Sequence, residues 1–268
     1  MEHPQAIITG ATSGIGAAFA RQLAAQGYDL VLAGRRAERL NALANELQQK
    51  YAITAEVLVS DLAQPGGIAA VEKCIDASPR LALLINNAGF GVPGHFTEIE
   101  IETQADMIQV HIMAVVRLTH RALQGMLARR HGAIINVSSL AAFIPPSMGS
   151  SIYGFTKSFL NAFSEGLRTD LRGSGVRIQV LCPGFTYTEF HDRPGFENFK
   201  RSSLPRIAWM TADQVAATSL KALQKDRLVC IPGLANQVVA AFARNGLVRW
   251  MIAPVMKLRP QPRVISQG

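Results

Sequence analysis

The 268-residue sequence predicts a doubly wound α/β domain built on a parallel sheet. Three observations predict it. Apolar runs alternate along the chain with segments of helical period, as in successive strand–helix–strand units. Runs such as LVLA, IINV and IQVL are apolar almost throughout, as strands buried on both faces must be. A glycine cluster stands between the first strand and the first helix. No composition break divides the chain before residue 230, and an α/β chain of this length folds as one unit.

The elements follow in order. Residues 6–9 read as a buried strand, and residues 16–26 as a helix ended by Gly27. Residues 28–33 form the next strand and 36–50 a helix. Residues 55–60 are strand-like, 68–77 helical and 81–85 strand-like. A long helical stretch covers residues 102–129. Residues 133–137 are a strand, 151–171 a helix, 177–181 a strand, 211–224 a helix, and 228–231 a last short strand. The expectation is a single Rossmann-like domain with sheet order 3-2-1-4-5-6-7. Residues 1–232 carry the dinucleotide-binding and catalytic part. Residues 233–268 form a basic, amphipathic helical extension of the same domain.

Nearly half the residues are apolar, enough for a sizeable core. Cys74, Cys182 and Cys230 are far apart and odd in number, so neither a disulfide framework nor a metal cluster is expected. They read as thiols in a reducing, cytoplasmic compartment. The first strand begins by Gln5, which leaves no room for a signal peptide. The net charge is +8, but no Asp or Glu follows Asp226 while Arg227, Arg244, Arg249, Lys257, Arg259 and Arg263 do. The basicity belongs to the tail, which argues against a nucleic-acid-binding face on the main domain.

The glycines sit at Gly10, Gly14 and Gly16, within the run Thr9 to Gly16 that includes Thr12, Ser13 and Ile15. A helix start presents free N–H groups to an anion, and glycines let the backbone approach a pyrophosphate. In dinucleotide folds an acid at the end of the second strand binds the ribose 2′-hydroxyl, and a base accommodates a 2′-phosphate. Here the residues are Ala33, Gly34, Arg35 and Arg36, with no acid. Arg35 offers a planar, always charged fork, and Ser13 can add a hydroxyl. The expected cofactor is NADP(H).

Tyr153 and Lys157 are four residues apart on one helix face. A phenol with a pKa of about 10 is a poor base at neutral pH, and a nearby ammonium favours the phenolate. Lys157 can do this and can also donate to ribose hydroxyls. Ser138 and Ser139 follow a strand end and are the candidates to hydrogen-bond the reacting oxygen; Ser139 is the favoured one.

Together these residues resemble the short-chain dehydrogenase/reductase (SDR) family over residues 5–232. The carriers are TGATSGIG at 9–16, Asp61-Leu62, Asn86-Asn87-Ala88-Gly89, Ser139, the Tyr153/Lys157 pair, and Pro183-Gly184-Phe185-Thr186-Tyr187-Thr188. The resemblance implies that Asp61 and Leu62 hold the adenine and that Asn87, Ala88 and Gly89 line the cofactor. It implies that Pro183, Gly184, Thr186 and Thr188 embrace the nicotinamide. It also implies B-face hydride transfer without a metal, and a homodimer or homotetramer through the two long helices. Two departures stand out. His111 occupies the place of a family Asn that holds a proton-relay water, in good part through its backbone carbonyl, so ring and backbone roles are both open. The interval from Ser139 to Tyr153 is one position longer than usual, a difference the loop 143–150, with Pro145, Pro146 and Gly149, can absorb.

Phe185, Tyr187, Phe190, Phe196, Phe199, Trp209 and Met210, with Phe90 and Phe143, suggest a lipophilic or bulky carbonyl or alcohol substrate; ordinary packing is the alternative. Glu189, His191, Asp192 and Arg193 are polar residues without an assigned part. The tail places Val238, Val239, Phe242, Leu247, Trp250, Met251 and Val255 near helical spacing, interrupted by Arg244, Arg249 and Pro254. Its apolar stretches are far shorter than the roughly 20 residues of a spanning helix. It reads as a lid or subunit contact, with peripheral membrane contact as the alternative. The expected function is NADP(H)-dependent interconversion of a carbonyl and an alcohol. The rival is a non-catalytic NADP(H)-binding sensor or scaffold of the same fold.

Overall fold

The computed structural model describes residues 3–144, 151–192, 196 and 199–244. Its element order is β1 (Gln5–Thr9), α1 (Gly14–Ala24), β2 (Asp29–Gly34), α2 (Ala37–Lys50), β3 (Ala55–Val59), α3 (Pro65–Asp76) and β4 (Leu81–Asn86). Next come α4 (Ile101–Ile108), a π-helical turn (Gln109–Met113), α5 (Ala114–Arg129), β5 (Gly132–Val137), α6 (Ser151–Asp170) and β6 (Val176–Leu181). The chain then forms β7 (Phe185–Tyr187), β8 (Trp209–Thr211), α7 (Ala212–Gln224), β9 (Val229–Cys230) and α8 (Leu234–Arg244).

Seven strands form one sheet in the order β3-β2-β1-β4-β5-β6-β9, every neighbour pair parallel. This is the expected order, with β9 as the seventh strand. Strand residues alternate between the two faces. On one face Ile8, Leu32, Ile85 and Ile135 pack with Phe19 and Leu23 of α1, Leu40 and Leu47 of α2, and Val215 of α7. On the other, Ile7, Val31, Leu84 and Ile134 pack with Ile68 and Val71 of α3 and with Leu118 and Met126 of α5. Double burial explains why the strands read as continuous apolar runs rather than as alternating ones.

A buried polar chain ties the strand ends to the helices. Asn86 donates to Asn136 (2.9 Å) and to Thr119 of α5 (3.1 Å), and Asn136 donates to Ser164 of α6 (3.1 Å). It fixes the height of α6, which carries Tyr153 and Lys157, against β4 and β5.

The structure departs from the sequence expectation in two places: the helical stretch expected over residues 102–129 is interrupted by the π-helical turn Gln109–Met113, and a second small sheet forms. β7 and β8 pair in parallel as a second, two-stranded sheet after the Pro183-Gly184 turn. Three-residue strands have too few residues to show a period. The tail is helical over Leu234–Arg244, and Leu247, Arg249, Trp250, Met251, Pro254 and Val255 lie outside the described residues. So do Arg193 and the Pro145–Ser150 part of the loop expected to absorb the extra position. Among the described residues no helix is long and apolar enough to cross a membrane. Among them, too, no group of three or more His, Cys, Asp or Glu side chains is placed to hold a metal. The three cysteines are unpaired thiols.

Candidate active site

In open α/β sheets the binding crevice lies beyond the carboxyl ends of the strands, where the strand order reverses. Here the reversal is between β1 and β4, and a cavity of about 870 Å³ opens there.

Its floor is the loop from β1 to α1. Gly10 (φ +68°) and Gly14 (φ +57°) adopt left-handed backbone that favours glycine. A Cβ on Gly16 would strike the Gly10 carbonyl and the Asn87 amide. The loop is bonded to the end of β4. Thr9 Oγ1 accepts from the N–H groups of Asn87 (3.0 Å) and Ala88 (3.1 Å), and Asn87 Nδ2 donates to the carbonyls of Thr9 and Gly10 (3.0 Å each). Ser13 is the N-cap of α1 but makes no side-chain cap bond, and the first turn holds no acidic residue. The helix start therefore keeps N–H donors for an anion. Such a cradle fits a dinucleotide pyrophosphate.

Gly10, Thr12, Ser13, Gly14, Ile15, Arg35, Arg36, Asp61, Leu62, Asn87, Ala88, Gly89, Pro183, Gly184, Thr186 and Thr188 all reach the cavity wall. Gly16 does not line it; its part is the close packing of loop and strand. The two arginines differ. Arg36 donates to Thr12 (2.8 Å) and Ser13 (2.9 Å) and pairs with Glu189 (2.8 Å), while Arg39 pairs with the other oxygen of Glu189. Arg35, placed first by the sequence, is 63% exposed and stands 3.9 Å from Asp61.

Ser139, Tyr153 and Lys157 share the cavity wall. Ser139 hydrogen-bonds the Tyr153 phenol and accepts from the N–H of Ala141. Ser138 donates to the backbone carbonyl of Lys157 (2.8 Å) and is committed to holding α6. Burial raises the Tyr153 phenol above its ordinary value, with the Ser139 bond working the other way. Lys157 lies 5.7 Å from the centre of the Tyr153 ring and donates to the carbonyl of Val137 (2.9 Å). Burial lowers its ammonium to about 8. Lys157 is expected from the sequence to pull the phenol down, but in the structure desolvation dominates both groups.

His111 sits in the π-helical turn, fully buried and off the cavity wall. Its Nε2 accepts from the N–H of Phe90 (3.1 Å). A backbone N–H can only donate, so the proton is on Nδ1, which donates to Thr156 (2.9 Å). Thr156 in turn donates to the carbonyl of Tyr153 (2.9 Å). The ring braces the loop after β4 against α6.

Of the aromatic residues, Phe90, Phe185 and Phe190 line the cavity, and Phe190 meets the Tyr153 ring at 5.8 Å. Phe199 and Trp209 pack around His191, with centroids at 4.7 and 5.7 Å, and Tyr187 stacks on Trp209 at 4.9 Å. Phe143 and Met210 do not reach the wall. The sequence left Thr9, Thr156 and Glu189 without roles. Thr9 had a visible signal, a hydroxyl between a buried strand and a glycine; the other two act through partners far away in the chain.

The family described as short chain dehydrogenase matches the chain over residues 4–194. Sulfoacetaldehyde reductase of Chromohalobacter salexigens is 41% identical over 249 residues, which cover 88% of this chain and 96% of that protein. Serine 3-dehydrogenase of Agrobacterium fabrum is 34% identical over 247 residues, covering 88% of this chain and 96% of that one. Among solved structures, a short-chain dehydrogenase from Sphingobium yanoikuyae in complex with NADPH matches with a TM-score of 0.82 and 34% identity. The match covers 99% of this chain and 100% of that chain.

Two predictions follow from the buried pair of nitrogen bases. His111→Asn should preserve the shape of the kcat–pH profile and cost about 1–3 kcal/mol of stability, through the lost brace to Phe90 and Thr156. An inflection near neutrality that vanishes in the variant would show that the ring moves protons. Lys157 folds with its pKa depressed to about 8. Between that value and its unfolded value the unfolded chain binds the extra proton, so stability rises with pH across that window. Wild type should therefore gain about 2–3 kcal/mol relative to Lys157→Met between pH 7 and 10, read by denaturant titration. A difference that stays constant with pH would contradict the depressed ammonium.

Proposed function

The chain belongs to the short-chain dehydrogenase family and is an oxidoreductase acting on alcohols and carbonyls, and we propose that it uses NADP(H) on a bulky, lipophilic substrate with Tyr153 as acid and base. The observation that carries this is the meeting, on one cavity wall, of the anion-ready loop and the hydrogen-bonded Ser139 and Tyr153 with Lys157 behind them.

NADP(H) is favoured by charge. The end of β2 offers Arg35 and Arg36 and no acid, and Arg36 lies against Thr12 and Ser13 beside the glycine loop. A guanidinium fork with hydroxyl neighbours suits a 2′-phosphate. The Sphingobium relative, which binds NADPH, supports the same choice. Asp61 and Leu62 are assigned to the adenine, and Thr186 and Thr188 to the nicotinamide.

Bound NADPH supplies the hydride that the carbonyl carbon receives, and NADP+ accepts it in the reverse direction. Ser139 donates a hydrogen bond to the substrate oxygen and so holds the carbonyl in place. Tyr153 gives that oxygen its proton as negative charge develops on it. Burial keeps the phenol protonated at neutral pH, which suits it to act as the acid of a reduction. The Lys157 ammonium stabilises the phenolate left behind and holds ribose hydroxyls. With both His111 ring nitrogens engaged, the relay that reprotonates Tyr153 is assigned to the His111 backbone carbonyl.

Phe90, Phe185 and Phe190 beside Tyr153 favour a bulky apolar group next to the reacting carbon. Phe155 is 62% exposed on α6, with Ile108 and Met113 exposed on the α4–α5 helix. We place a homodimer or homotetramer contact on these faces. Leu234, Val238 and Phe242 are exposed at helical spacing on α8, which suits a further subunit contact better than a membrane surface. A cytoplasmic enzyme fits this assembly.

Tyr153→Phe keeps the ring and removes the proton. It should lower kcat by about 10²–10⁴-fold while the Kd for NADPH stays nearly unchanged. A Phe variant with most of its kcat intact would remove Tyr153 from the proposed role.

A further inference from the structure

Glu189 opens the short turn Glu189–Asp192 that follows β7 and lines the cavity. Its two carboxylate oxygens are both taken at the start of α2, one by the N-cap residue Arg36 at 2.8 Å and one by Arg39 in the first turn. These pairs hold its carboxyl below the usual carboxylate range, Arg36 contributing most. The neighbouring Thr188 rests on the phosphate loop: a Cβ on Gly14 would lie 2.9 Å from its methyl group. The segment after β7 is thus fastened across the mouth of the cofactor groove, and the fastening anion sits on Arg36. That same guanidinium contacts Thr12 and Ser13, where the reading above places the 2′-phosphate.

We propose that Glu189 is a cofactor-discriminating residue, an internal carboxylate that competes with the 2′-phosphate of NADP(H) for Arg36. This rests on the NADP(H) assignment and adds a cost to it. A phosphate arriving at Arg36 must share or displace a carboxylate already there, and it meets that carboxylate's negative charge. NADH carries no 2′-phosphate and meets neither penalty. Glu189 therefore weakens NADP(H) binding selectively and keeps the cofactor exchangeable. When the groove empties, it returns to neutralise Arg36 and Arg39. Arg201, bonded to Asp192 and to the Thr188 carbonyl, holds the turn from its other end, so the segment stays anchored when Arg36 lets go.

The test measures the Kd of NADPH and of NADH by calorimetry for wild type, Glu189→Gln, Arg36→Gln and the double variant. Glutamine keeps the shape of the side chain and removes its charge. Glu189→Gln should tighten NADPH by about three- to tenfold, as expected for removing one charge near a screened dianion. NADH should change little. Most of the gain should vanish in the Arg36→Gln background, because the competition acts through that guanidinium. Equal weakening of both cofactors would make Glu189 a clamp on the whole dinucleotide and overturn the proposal, as would unchanged constants. If wild type bound NADH as tightly as NADPH, the NADP(H) assignment itself would fall, and with it the competition. A wild type that prefers NADPH, joined to a Glu189→Gln variant without the gain, would overturn the Glu189 role alone.

Discussion

The site depends on one close approach, that of the loop after β1 to the end of β4. Asn87 and Ala88 donate four hydrogen bonds across it to Thr9 and Gly10, and Gly10 and Gly16 remove the side-chain atoms that would hold the two segments apart. Once they are joined, the start of α1 faces the cavity and Gly89 lies against His111 and Lys157. The buried chain from Asn86 through Asn136 to Ser164 carries the same registration across β5 to α6. The glycine loop and the helix that carries Tyr153 and Lys157 are thus two ends of one hydrogen-bonded frame. An added methyl group at Gly16, or loss of the Asn87 amide, disturbs both ends.

Inside that frame burial sets the chemistry. Tyr153 is pushed toward its neutral form and Lys157 toward its neutral form, both by desolvation. A neutral phenol beside a substrate oxygen is a proton donor waiting for charge to appear. A lysine that is easily deprotonated suits the proposed relay behind the phenol. His111 works differently. Its ring is pinned between a backbone donor and Thr156, so it holds geometry while its backbone stays available.

Much of this was legible in the sequence because the signals are local. Double burial writes a strand as an apolar run, and the crossing helices write themselves as a 3.6-residue period, so all seven strands of the main sheet could be read; their order was expected from the doubly wound dinucleotide-binding fold. The glycine spacing and the Tyr153/Lys157 interval mark positions that only certain residues can fill. What could not be read depends on partners distant in the chain. Arg36 and Glu189 are 153 positions apart, and no pattern around either says that they meet. The sequence favours Ser139 over Ser138, but that Ser138 is tied to the Lys157 carbonyl while Ser139 bonds the Tyr153 phenol depends on the packing of α6. The pairing of β7 with β8 joins two three-residue segments whose composition resembles that of any aromatic loop.

The central claim is that this frame carries a hydride acceptor or donor to a carbonyl carbon while Tyr153 handles the proton. The direct measurement offers the protein NADPH deuterated on its B face together with a panel of bulky aldehydes and ketones. It follows cofactor absorbance and the mass of the products. The account predicts that NADPH is oxidised with at least one carbonyl and that the deuterium appears on the carbinol carbon of the alcohol. Tight binding of NADPH with no oxidation by any carbonyl, and no label in any product, would contradict it and leave a nucleotide-binding protein without this chemistry.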